Sequence, residues 1–202
     1  ALDSLMQYVF VGSTNFFRDT EAYSCFKEMV LLYLKNHNPG EEIRVWIAGC
    51  STGEEAYSVA IILQESIEEL GIPSRLIKII ATDINEENLY FAEDGNFYKN
   101  NSQNISQERR RFFKGEGEQF KPTKNIQDMI NFVNHDLLNH APFFNLDIIV
   151  CRNVLIYFEE KEINEVISHF YESLKEKGIF FTGQSESIIL KNLEKWKQFK
   201  SC

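Results

Sequence analysis

Apolar and polar positions along the chain switch repeatedly between helical and strand periods. Residues 20–36 place Tyr23, Phe26, Val30, Leu31 and Leu34 at helical spacing, with Thr20 as a cap and Pro39 and Gly40 closing the end. Residues 43–48 (Ile43, Val45, Trp46, Ile47, Ala48) form an apolar run that predicts a buried strand. A helix follows from about 54 to 69, with Val59, Ala60, Ile62 and Leu63 on its apolar face. Residues 76–82 (LIKIIAT) predict a second strand ending at Asp83, and residues 85–93 a short helix. Three more strands fall at 129–133, 146–150 and 179–183. Residues 161–177 predict a strongly amphipathic helix (Ile163, Val166, Ile167, Phe170, Tyr171, Leu174) stopped by Gly178. Residues 190–196 predict a last helix.

Strands alternating with helices predict an α/β fold, with a mostly parallel sheet covered on both faces. Ligands then sit beyond the strand C-termini. Residues 94–128 break the rhythm, because Gly, Asn, Gln, Lys and Glu dominate and aromatics are scattered among them. They read as an inserted subdomain, with a helix at 106–113 and a loop or hairpin at 114–125. The expected organisation is an N-terminal linker at 1–19 and one domain at 20–202 carrying that insertion.

The most informative stretch is residues 43–58, IRVWIAGCSTGEEAYS. A strand enters a small-residue turn, Gly49 to Gly53, and a helix leaves it, which is how open α/β folds seat a nucleotide-like cofactor. That helix opens with Glu54 and Glu55. A helix N-terminus that cradles phosphate should avoid carboxylates. The pair therefore predicts a cofactor without phosphate and with positive charge, such as S-adenosylmethionine. Asp83, at the end of the second strand, suits ribose hydroxyls, and the alternative is a helix cap. NAD is the rival cofactor, but the turn lacks the full GxGxxG pattern.

Two further segments carry candidate chemistry. In residues 13–19, STNFFRD, Thr14 and Arg18 either line a site closed by the two phenylalanines, or the aromatics merely staple a helix. In residues 151–158, CRNVLIYF, Arg152, Asn153 and Tyr157 leave a central strand at its C-terminal end. Each is either a site residue or, for Arg152 and Asn153, a polar exit from the sheet and, for Tyr157, a packing ring.

Composition narrows the function. The net charge of −9 argues against nonspecific nucleic-acid binding, which rests on neutralising phosphates. The four cysteines and four histidines show neither CxxC pairs nor metal-ligand spacing, so reduced thiols, no metal and a cytoplasmic location are expected. No apolar run approaches the ~20 residues of a membrane span, and no signal peptide is evident, so no direct membrane insertion is expected.

Taken in order, TNFFRD, AGCSTGEEAYS, ATDIN, CRNVLIYF and GQSE resemble the chemotaxis-receptor methyltransferases of the CheR family. The resemblance implies a class I, Rossmann-like fold and transfer of a methyl group from S-adenosylmethionine to glutamates of chemoreceptors. It implies cofactor contacts from Gly12, Thr14, Arg18, Gly49, Glu55, Asp83, Asp136, Leu137, Arg152 and Asn153. Asp83 would hold ribose, Asp136 and Leu137 would flank adenine, and Glu55 would help hold the methionine portion. Arg18 and Tyr157 would act as catalytic residues facing the methyl group and the incoming glutamate. The partner implied is the cytoplasmic helical region of chemoreceptors. Full-length members carry a basic N-terminal helical domain, and the expectation here is a catalytic domain without it. An acidic receptor would then be met by clusters such as Arg109-Arg110-Arg111, or by the absent segment. The insertion corresponds to a small β-subdomain that docks a receptor C-terminal pentapeptide in some members. Its loop at 115–125 looks short, so no peptide tether is expected. The family's sheet ends in an antiparallel edge hairpin, to which residues 199–202 would supply only part. Two alternatives stay open: a non-catalytic S-adenosylmethionine sensor or adaptor, and a nicotinamide-dependent oxidoreductase.

Overall fold

A computed structural model describes residues 14–38, 40–73, 76–115, 118–184 and 186. The expected helix at 190–196 and the edge hairpin lie outside these residues. Helix α1 (Thr20–Lys35) leads to strand β1 (Ile43–Ala48), helix α2 (Glu54–Leu70), strand β2 (Ile77–Asp83) and helix α3 (Glu86–Asp94). The insertion supplies β3 (Phe97–Tyr98), β4 (Phe113–Lys114) and β5 (Gln119–Pro122). A short helix α4 (Lys124–Gln127) then precedes β6 (Ile130–Asn134). Strand β7 (Leu146–Cys151), helix α5 (Glu160–Ser173) and strand β8 (Leu174–Thr182) complete the order.

The main sheet runs β6-β2-β1-β7-β8, and all its pairings are parallel. Strand period two divides the core between its faces. Ile43, Val45 and Ile47 of β1 pack in one cluster with α1 and α2. Trp46 and Ala48, of opposite parity, pack in another with Ile163, Val166, Ile167 and Phe170 of α5. The chain reverses its winding at β1, between β2 and β7, so a crevice opens beyond the C-terminal ends of these strands.

The insertion forms its own three-stranded antiparallel sheet, ordered β3-β5-β4. The helix expected at 106–113 is a single 3-10 turn, Glu108–Phe112. Its arginines are engaged. Arg109 pairs with Glu65 at 2.9 Å and stacks over Phe17, and Arg111 pairs with Glu68 at 2.5 Å. These two arginines brace the insertion against α2, and the expected receptor-facing cluster is not free as a unit.

Two boundaries differ from expectation. Asp19, not Thr20, caps α1, its carboxylate accepting from the Ala22 N–H. Helix α5 ends at Ser173, and residues 174–178, read as helix and stop, belong to β8. The cause lies across the sheet. Asp147 of β7 is fully buried and accepts from Lys175 Nζ at 2.8 Å, the Tyr33 hydroxyl at 2.6 Å and the Arg44 N–H at 2.8 Å. Holding Lys175 there forces a bulge: Leu146 pairs with Leu174, but Ile148 pairs with Ile179. Cys50 and Cys151 are buried free thiols. Among the described residues no helix is long and apolar enough to cross a membrane.

Asp147 joins α1, β1, β7 and β8, so its removal orphans buried donors on several elements at once. Asp147→Ala is expected to cost about 3 kcal/mol or more in urea denaturation; a loss below about 1 kcal/mol would mean that water replaces the carboxylate without penalty.

Candidate cofactor cleft

The segment before α1, the turn after β1 and the ends of β2, β6 and β7 converge on one cleft of about 890 Å³. Thr14, Arg18, Gly49, Glu55, Asp83, Asp136, Leu137, Arg152, Asn153 and Tyr157 all line it. Gly12 lies outside the described residues. Residues drawn from five separate segments therefore share one wall.

Local backbone chemistry explains the turn after β1. The N–H groups of Gly49 and Cys50 both donate to the Thr82 carbonyl at 2.8 Å, folding the turn back onto β2. Asp83 fastens it: one carboxylate oxygen accepts from the Ser51 N–H at 2.7 Å, the other from the Asn85 N–H at 2.9 Å. Asn85, not Asp83, caps α3. Carboxylate oxygens keep further lone pairs for ligand hydroxyls while they do this. Gly49 is required here, since it holds φ at +73° and a Cβ would lie 2.4 Å from Val154 Cγ2.

The two acids opening α2 diverge. Glu55 faces the cleft, and its Oε1 accepts from the Tyr23 hydroxyl at 3.1 Å and Arg152 Nη1 at 3.2 Å. Burial raises its pKa, with Arg152 and Tyr23 pulling it back. Glu54 is buried on the other side, accepting from the Thr52 hydroxyl at 2.6 Å and the Asn101 amide of the insertion at 2.9 Å. Burial raises its pKa too, against these donors. No phosphate cradle remains at this helix start.

Arg152 is a buried hub. Its Nη1 donates to the Arg18 carbonyl at 3.1 Å as well as to Glu55, and its Nη2 lies 3.5 Å from Asp19. The guanidinium also stands over the rings of Tyr23 and Phe181. Burial opposes its charge most strongly, but Glu55, Tyr23 and Asp19 together outweigh it and raise its pKa.

The segment 14–19 realises parts of both its readings. Phe16 and Phe17 are fully buried, Phe16 among Phe97, Phe113 and Phe120 of the small sheet, Phe17 against Tyr23. Phe17 and Asp19 hold left-handed backbone, φ +49° and +69°. A bulky residue in that region is strained, and the Phe17 N–H bond to Ser58 Oγ at 2.9 Å helps fix it. The two bends leave Arg18 exposed on the cleft wall.

Sequence reasoning missed Ser51, Ile84, His135 and Val154, which also line the cleft. Ile84 had a signal: an apolar residue just past a strand-ending acid, left 68% exposed. The others act through backbone position or packing, as when His135 packs edge-on to Trp46 and tilted against Phe143, and give no sequence signal.

An open parallel sheet with an acid-lined cleft at its switch point defines a Rossmann-like nucleoside-cofactor domain. The family model "CheR methyltransferase, SAM binding domain" matches residues 12–202. The chain belongs to that family, and S-adenosylmethionine is its cofactor. It is 33% identical over 189 residues to a chemotaxis protein methyltransferase of Listeria monocytogenes, covering 93% of this chain and 70% of that one. It is 34% identical to chemotaxis protein methyltransferase 1 of Pseudomonas aeruginosa, covering 95% and 71%. A third relative is an uncharacterised 104.1 kDa protein of Rhodobacter capsulatus, 33% identical over 93% of this chain but only 20% of its own length.

Asp136 gives a pH test. Partial burial works against its charge, but donation from the Asn139 side chain and from the Leu138 and Asn139 N–H groups, with His140 beside it, lowers its pKa. A depressed carboxyl stabilises the fold above its unfolded pKa and loses that contribution as pH falls through the folded value. The stability gap between wild type and Asp136→Ala should therefore be widest at neutral pH and close below about pH 3.9. A gap independent of pH would show that the carboxylate charge is not what these donors hold.

Proposed function

We propose that this chain methylates glutamate side chains of chemoreceptors, using S-adenosylmethionine and releasing S-adenosylhomocysteine. The observation that carries this is the convergence of Arg18, Glu55, Asp83, Asp136, Asn153 and Tyr157 on one cleft in a member of the family. Two of the relatives are named chemotaxis protein methyltransferases, which supports methyl transfer in chemotaxis. A sensor or adaptor without turnover fits less well, because both Arg18 and Tyr157 are kept at the cleft wall.

The site suits the cofactor chemically. Asp83 would take the ribose hydroxyls, Asp136 and Leu137 would flank adenine, and Glu55 would meet the cationic methionine end. Thr14, Arg152, Asn153 and the backbone at Gly49 would complete the wall. When bound, the cofactor supplies a methyl group on a sulfonium, open to in-line displacement.

The protein's task is alignment. A glutamate carboxylate is ionised at neutral pH, so no general base is required. Arg18 orients the incoming carboxylate without holding it so tightly that attack suffers. Tyr157, 52% exposed at the cleft rim, fixes the other side of the acceptor. Closure over the cleft by the receptor surface would exclude water. The receptor partner would be its cytoplasmic helical region, with no pentapeptide tether at the small sheet, whose outer strands β3 and β4 are only two residues long.

Calorimetric titration should show S-adenosylhomocysteine binding and no NAD binding; the reverse would sink the assignment. Arg18→Ala should lose on the order of 100-fold in turnover on receptor cytoplasmic fragments while keeping much of its cofactor affinity. The product should release methanol in mild base, as a glutamate methyl ester does. Near-normal turnover by the variant would remove Arg18 from the chemistry. A receptor C-terminal pentapeptide should give no micromolar binding, and a clear isotherm would restore the tether.

A further inference from the structure

The GQSE segment after β8 places a carboxylate beneath the cleft without opening into it. Glu186 is fully buried. Its Oε1 accepts from the Val154 N–H at 3.0 Å. Its Oε2 has no hydrogen-bond partner among the described residues. Gly183 makes the approach possible: a Cβ there would stand 2.5 Å from Oε2 and 3.5 Å from the Asn153 N.

Val154 is the pivot of its side of the cleft. Its side chain fills the space that the missing Cβ of Gly49 leaves in the turn after β1. Its carbonyl accepts from the Tyr157 N–H at 3.2 Å, opening the 3-10 turn Leu155–Tyr157 that carries the tyrosine to the rim. The residue before it, Asn153, is held left-handed at φ +58°. Asparagine tolerates this region but does not choose it unaided. One hydrogen bond to Val154 therefore governs Asn153 on one side and Tyr157 on the other.

We propose that Glu186 is a positioning residue for methyl transfer, clamping the Val154 N–H so that Asn153 and Tyr157 face the cleft. The assignment rests on the function proposed above. What the site needs from Glu186 is an acceptor at this reach, not a charge. Burial raises the pKa of both Glu55 and Cys151, and the neighbouring Glu186 adds to the rise; no cation pairs with Glu186 among the described residues.

Glu186→Gln and Glu186→Asp separate reach from charge. Gln keeps the acceptor and loses the charge; Asp keeps the charge and withdraws the acceptor by one methylene. Three readouts apply: exchange protection of the Val154 amide without ligand, S-adenosylhomocysteine affinity, and kcat against KM on receptor fragments. The Gln variant should match wild type in all three. The Asp variant should lose Val154 protection and at least about tenfold in kcat, with a smaller change in cofactor KM. A defective Gln variant beside a normal Asp one would make the charge essential and overturn the proposal. So would two normal variants, two equally defective ones, or a Gln variant that fails to fold. If wild type neither binds S-adenosylhomocysteine nor methylates, the functional assignment fails, while amide exchange still decides whether Glu186 clamps Val154.

Discussion

The buried ion pair between Arg152 and Glu55 is the interaction on which the cleft depends. A guanidinium out of water is tolerable only when its donors are used. Arg152 uses both terminal nitrogens on Glu55 of α2, the Arg18 carbonyl and Asp19, leaves only Nε without a partner among the described residues, and rests its face on Tyr23 and Phe181. The start of α1, the start of α2, and strands β7 and β8 are thereby fixed to one point. The cleft wall is a by-product of satisfying one charge.

Two carboxylates at a helix start would be redundant if both served the macrodipole. They do not. Glu55 belongs to the ion pair and the cleft, while Glu54 turns the other way to Thr52 and Asn101. Position in the turn decides this, because successive helical residues lie about 100° apart and cannot share a face. The acids that first suggested a cationic cofactor thus divide between ligand wall and scaffold.

How much was legible follows from which forces are local. The β1–α2 unit, β2 and β7 were readable, because apolar runs and small-residue turns encode them within a few residues. The end of α5 was not. Leu174 fits the helical stripe, yet Lys175 is claimed by Asp147, a partner 28 residues away in sequence. The arginine run at 109–111 read as a docking patch because its partners Glu65 and Glu68 lie on a distant helix. The candidate site residues were legible mainly through the family resemblance. Spacing alone left Asp83 between ribose and cap, and the structure gives the cap to Asn85.

Besides the Arg109 and Arg111 pairs with α2, the insertion is joined to the main domain by Phe16 in its aromatic core and by Asn101 on Glu54. Both attachments lie next to cleft residues, Asn15 on one side and Glu55 on the other. The insertion is therefore not an exchangeable module. A relative's version could be transplanted only together with the residue before Phe17, the first acid of α2, and Glu65 and Glu68, which pair with its arginines. Drift within the insertion is answerable to the cofactor site, even where it touches no ligand.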